Sequence, residues 1–131
     1  MGIKHPKLIQ WERTLGDVFD EIDDYLEDHY GSDYQLHPAR AARGTTSNKE
    51  QDGLFNVGAS YSAGFGSEHG AGYVIDVRIS TLTQVPKHVK KMIELNVIRM
   101  LREKLPAAFP GKNLTVEQDG DVYKICGDLS L

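Results

Sequence analysis

Apolar positions recur at two different spacings along this chain, and each change of spacing predicts a new element. From Tyr73 the alternation is strict: Tyr73, Ile75, Val77 and Ile79 point one way, and Val74, Asp76, Arg78 and Ser80 the other. Period two with β-branched residues predicts a half-buried strand. Pro86 then suits the first turn of a helix, where its fixed φ fits and its missing N–H costs nothing. Along that helix Val89, Met92, Ile93, Val97, Met100 and Leu101 form one stripe, with Leu95, Ile98 and Leu105 outside it. Pro106 and Pro110-Gly111 are expected to end it. More than half the circumference is apolar, whereas a helix lying on one sheet needs a single buried face. The surplus predicts a second covering layer, either the N-terminal helix or another subunit.

The remaining segments read in the same way. Pro6 opens a helix in which Leu8, Trp11, Leu15, Val18, Phe19, Ile22, Tyr25 and Leu26 keep one face, acids occupy the other, and Gly31 is the expected stop. Residues 32–53 form a long polar loop, a length associated with function or motion. Leu54 to Ala63 reads as a strand, joined to the one from Tyr73 by a glycine-rich hairpin tip, Gly64–Gly72. Leu114–Gln118 and Asp121–Cys126 flank Asp119-Gly120, a hairpin signal. A two-residue turn there predicts Val116 opposite Tyr123 and Leu114 opposite Ile125.

The expected order is α-β-β-α-β-β in one α+β domain, 1–131. Its antiparallel sheet of about four strands carries two amphipathic helices on one face. In element order, small size and acidity the chain resembles the small effector chaperones of bacterial secretion systems, a likeness of layout without a shared motif. That resemblance implies an adaptor or chaperone-like role.

Composition narrows the setting. The 40% hydrophobic and 26% charged content is that of a globular chain. The single cysteine, Cys126, excludes an intrachain disulfide and reads as a small core residue. No signal-peptide pattern or membrane-length apolar run is visible, so a cytoplasmic location away from membranes is expected. The net charge of −4 is unevenly spread: residues 8–30 hold eight acids against Arg13, and residues 84–112 hold seven bases against Glu94 and Glu103. Asp23, Asp24, Glu27 and Asp28 crowd the end of the first helix, and Lys87, Lys90 and Lys91 the start of the second. Both placements oppose the macrodipole. Antiparallel helices whose oppositely charged ends meet would relieve both.

Candidate chemistry is sparse. Arg40 and Arg43, followed by Gly44, Thr45, Thr46, Ser47 and Asn48, form an anion-binding pattern of guanidinium and hydroxyl donors. The tip bearing Ser67, Glu68 and His69 fails the G-x-G-x-x-G spacing and leads into a strand instead of a helix. The histidines lack zinc-site spacing, which leaves His37, Glu68 and His69 as the one conceivable metal pocket. Neither metal nor cofactor is expected. No nucleophile–base pattern is recognisable, so a non-enzymatic role is favoured over an enzyme. The primary expectation is a protein-interaction domain, a homodimer or partner-binder, using Asp20, Asp24, Glu27 and Asp28 on the first helix and Leu95 and Ile98 on the second. The alternative is a module for phosphate-containing small molecules or nucleic acid, built from Arg40, Arg43, Thr45, Ser67 and His69. The negative net charge weighs against nucleic acid.

Overall fold

Residues 5–47 and 51–130 are described by a computed structural model. Its elements are α1 (Pro6–Tyr30), β1 (Phe55–Ser62), β2 (Gly72–Ile79), α2 (Lys87–Ala108), β3 (Leu114–Asp119) and β4 (Val122–Gly127). The strands form one antiparallel sheet in the order β1-β2-β4-β3, so the α+β architecture and the α-β-β-α-β-β order are as expected. Phe55, Val57, Ile75, Val116, Tyr123 and Ile125 share one sheet face and are buried in a single apolar cluster with both helices. Period-two patterning has become one wet face and one dry face.

The helices run antiparallel. Trp11 meets Phe109 with ring centroids 4.3 Å apart, Lys104 Nζ donates to Glu21 Oε2 at 2.7 Å, and Asn96 Nδ2 donates to the Tyr30 hydroxyl at 2.7 Å. The expected meeting of charged ends does not occur. The end of α1 reaches only as far as Asn96, and Lys87, nine residues earlier, lies about 13 Å further along α2. Lys91 instead pairs with Glu94 at 3.1 Å and lies 5.0 Å over the Tyr123 ring. Arg43, from the loop after α1, bonds Asp28 at 2.8 Å and Asp24 at 3.2 Å.

The buried stripe of α2 also differs from the expected one. Ile98 and Leu105, expected outside the stripe, are in the core, and Met92, expected within it, is 48% exposed; Leu95, expected outside it, is 46% exposed. The stripe is rotated because α1 and the sheet approach α2 from two directions, which accounts for much of the apolar surplus. Pro106 does not end the helix. It sits in the last turn, which Phe109 N–H closes onto Leu105 O at 2.9 Å while the Phe109 ring packs on Trp11.

In the second hairpin the pairs are Val116↔Ile125 and Leu114↔Gly127, two residues from the expected register. The turn residues are Gly120 and Asp121, with Gly120 at φ 63° and no positive φ at any described non-glycine residue. Placing the glycine first spares Asp119 a left-handed backbone and adds the Asp119↔Val122 pair. A slip of two keeps every side chain on its expected face.

Candidate functional site

The arginine loop is tied to its own chain. Arg40 donates from Nε to Gly53 O at 3.1 Å and from Nη2 to Asp52 O at 3.0 Å, next to the bridge between Ala41 and Asp52. Arg43 is held by Asp24 and Asp28, whose hydrogen bonds push its pKa up. The Thr45 hydroxyl donates to Ala42 O, and Thr46 caps Asp52 through both its N–H and its hydroxyl. Asn48 lies outside the described residues. Further contacts, His37 N–H to Ser80 O and Thr81 hydroxyl to Gln35 O, pin the loop beside the open end of the first hairpin. Arg40 and Arg43 therefore do not converge on a ligand; they close the loop.

The glycine-rich tip lies at the other end of that hairpin. The eight-residue strands between them put it about 25 Å from the arginine loop. Arg40 and Arg43 do not form one site with Ser67 and His69, nor does His37 converge with Glu68 and His69. Among the described residues no group of three His, Cys, Asp or Glu side chains could hold a metal ion.

The tip folds back over the wet face of the sheet instead of projecting. Lys124, 3% exposed, donates to Asp119 Oδ2 at 2.9 Å, Gly70 O at 2.8 Å and Ser67 Oγ at 3.2 Å. His69 N–H also reaches Asp119 at 3.4 Å. The Lys124 hydrogen bond holds the Asp119 carboxyl below the usual carboxylate range. Ser67 further contacts Gly64 O and Gly70 N–H, so its hydroxyl organises the tip and is not poised as a nucleophile. Gly64 and Gly72 are required there. A Cβ at Gly64 would overlap the Gly70 carbonyl, and one at Gly72 would lie 2.6 Å from Ile125 O. Cys126, on the same sheet face as Lys124 and outside the main apolar cluster, is nevertheless buried, and desolvation raises its thiol pKa.

The residues expected to form an interaction surface divide. Asp20 and Leu95 are exposed, and Asp24 and Asp28 hold Arg43. Ile98 is 2% and Glu27 8% exposed, so neither presents a surface. Glu27 Oε1 accepts the Phe55 N–H at 2.9 Å, a job for a carboxylate on the inner side of α1.

That bond marks a feature that sequence reasoning missed. The Ser80 N–H donates to Leu54 O at 2.7 Å, so Leu54 and Ser80 are a hydrogen-bonded pair. In an antiparallel ladder such pairs alternate, and even-numbered residues of β1 therefore bond β2. Phe55, Val57, Ala59 and Tyr61 turn their N–H and C=O groups outward along an edge strand. Glu27 takes the first N–H. Among the described residues, the outward groups of Val57, Ala59 and Tyr61 have no backbone partner outside the strand ladders and no side-chain partner. The β1 sequence, Phe-Asn-Val-Gly-Ala-Ser-Tyr-Ser, contains no charge and no proline, and its register runs unbroken from Phe55↔Ile79 to Ser62↔Gly72. Those are the devices that usually blunt an edge. The opposite edge has one: Arg102 caps Val116 O at 2.7 and 3.3 Å.

Helix α1 crosses obliquely above this edge. Glu27 reaches its outer side at Phe55, while Trp11 lies against Tyr73 on β2, ring centroids 5.9 Å apart. The strand is progressively uncovered toward Tyr61, which is 61% exposed. A groove of about 370 Å³ opens between helix and strand. Glu12, Gly16 and Asp20 form its helical wall, Leu15, Phe19 and Tyr73 its floor, and Val57 to Ala59 its rim. Gly16 has no atom within 4 Å of where a Cβ would stand, so the wall is recessed at its centre.

No solved structure matches the chain. An uncharacterized protein of Borreliella burgdorferi is 39% identical over 121 residues, covering 92% of this chain and 94% of the relative. A family model described as "Uncharacterised protein" matches residues 6–127, and the chain belongs to that family.

Proposed function

We propose that this protein is a non-enzymatic interaction domain that binds an extended segment of another chain by strand addition to β1. The observation that carries this reading is the row of outward backbone groups at Val57, Ala59 and Tyr61 on a strand without charge, proline or bulge. Strand addition draws its affinity from such main-chain groups and its selectivity from a neighbouring groove, and the α1 groove runs alongside. The fate of the polar side chains supports the same reading. Arg40, Arg43, Ser67 and Lys124 are engaged within the fold, whereas the outward backbone groups of β1 past Phe55 have no such partner among the described residues.

Panning a random peptide library tests the proposal. Peptides enriched on the wild-type protein should protect the Val57, Ala59 and Tyr61 amides from exchange and should lose binding to Ala59→Pro. Proline is tolerated where an edge N–H faces solvent, so that variant blocks the edge without breaking the β1–β2 ladder. Enriched peptides that bind Ala59→Pro equally well, or no enrichment at all, would count against it. A homodimer through α2 is the second reading, favoured by Met92 and Leu95, which are neighbours at i, i+3 and about half exposed. Equilibrium sedimentation of wild type against Leu95→Lys tests it.

A further inference from the structure

Resting on the strand-addition reading, we infer that the segment received by β1 is the β1 of a second copy, paired antiparallel about Tyr61. The open part of the edge is short and bounded at both ends. Glu27 takes the Phe55 N–H and Val57 is buried, whereas Gly64, at φ 74°, turns the chain out of the extended conformation. Between these stops runs Gly58-Ala59-Ser60-Tyr61-Ser62-Ala63-Gly64, which reads the same in either direction. Two copies of such a strand meet residue for residue when a two-fold axis relates them. Tyr61 exchanges both backbone bonds with the partner's Tyr61, and Ala59 does so with the partner's Ala63. Ser60 stands opposite the partner's Ser62, and glycine opposite glycine at each end.

The side chains agree with this register. Tyr61 belongs to the sheet face of Phe55 and Val57, yet it is 61% exposed, its ring edge-on to Tyr73 with centroids 5.6 Å apart. Pairing about Tyr61 sets the two Tyr61 rings opposite each other, each backed by its own Tyr73. Aromatic cross-strand pairs of this kind stabilise a ladder. On the other face only serine and glycine meet, so no charge is opposed by its like.

A short window buries little area, so the dimer constant is expected between about 1 mM and 1 µM. Sedimentation equilibrium across that range should show dimer, and the Ala59 and Tyr61 amides should gain exchange protection as concentration rises. Ala59→Pro should weaken association about tenfold or more. A fluorescein-labelled peptide of residues 56–65 gives a check that does not depend on how any variant folds. In fluorescence polarisation it should bind the wild-type protein, lose binding when N-methylated at Ala59, Tyr61 and Ala63, and keep it when N-methylated at Gly58, Ser60 and Ser62. A dimer that persists in Ala59→Pro is held elsewhere and overturns the inference, as does a peptide blocked by the second methylation pattern and not the first. Monomer throughout, with panned library peptides still lost in Ala59→Pro, overturns the second copy and leaves the edge reading standing. Monomer throughout with no such peptides overturns both.

Discussion

Replacing Glu27 separates the two roles a carboxylate could have near the end of α1. The side chain is 8% exposed and accepts the amide proton of Phe55, a residue with no exposed surface. Glu27→Ala removes that acceptor and leaves the Phe55 N–H without a protein partner. A buried donor left without a partner costs about 1–3 kcal/mol. Removing a buried carboxylate also removes its desolvation cost, so the lower part of that range, about 1.5 kcal/mol, is expected. With an unfolding entropy of about 2.1 cal/mol/K per residue, a chain of this length should lose about 5 °C in Tm. Glu27→Gln keeps an oxygen of the same reach and exchanges a charged acceptor for a neutral one, so its loss should stay under about 1 kcal/mol. Urea unfolding gives both differences, and amide exchange should show local loss of protection at Phe55. If Glu27→Ala unfolds within about 0.5 kcal/mol of wild type and Phe55 stays protected, Glu27 is an exposed acid and the account of the β1 edge fails at its first residue.

Three further outcomes are expected. Because its pKa is lowered in the fold, Asp119 contributes stability that is present above the usual carboxylate range and lost as pH falls through its folded value. Asp119→Asn should therefore be less stable than wild type near neutrality and flatten the acid limb, as urea midpoints between about pH 6 and pH 2 would record. Ile98→Ala should cost about 2–4 kcal/mol, and Leu95→Ala under about 1 kcal/mol. Equal losses would contradict the rotated stripe of α2. Gly64→Ala, at φ 74° and against the Gly70 carbonyl, should destabilise by at least about 1 kcal/mol and lift the tip, with faster exchange at the Gly70 amide.

Much of the fold was written in period and punctuation. Strict alternation at Tyr73–Ile79 and helical spacing at Trp11–Leu26 identified elements whose inner residues are now buried together. What failed depended on tertiary partners. A helical wheel assigns every acid to the wet side, so Glu27 looked like surface until an amide from β1, 28 residues later, claimed it. Arg40 and Arg43 looked like an anion pair because their acceptors, Gly53 O and the α1 carboxylates, are distant in sequence. The β3–β4 register went wrong by two because Asp-Gly and Gly-Asp turns both fit the same residues. The β1 edge could not be located beforehand, since no local pattern fixes the strand order β1-β2-β4-β3. One signal was present all the same: Phe55–Ser62 is a strand with neither charge nor proline.

The two edges of the sheet differ in how far they are covered, and the difference bears on which of them a further strand could reach. At β3 the guard is direct, since the Arg102 guanidinium occupies an outward carbonyl that a new strand would need. At β1, among the described residues, no side chain does this beyond Phe55; the strand is uncovered from Ala59 to Tyr61, where solvent can satisfy the outward groups at little free-energy cost. An edge of this kind normally invites pairing with its own copies. On the strand-addition proposal β1 is the edge left to an incoming segment, because the Arg102 guanidinium already takes the Val116 carbonyl that such a segment would need at β3.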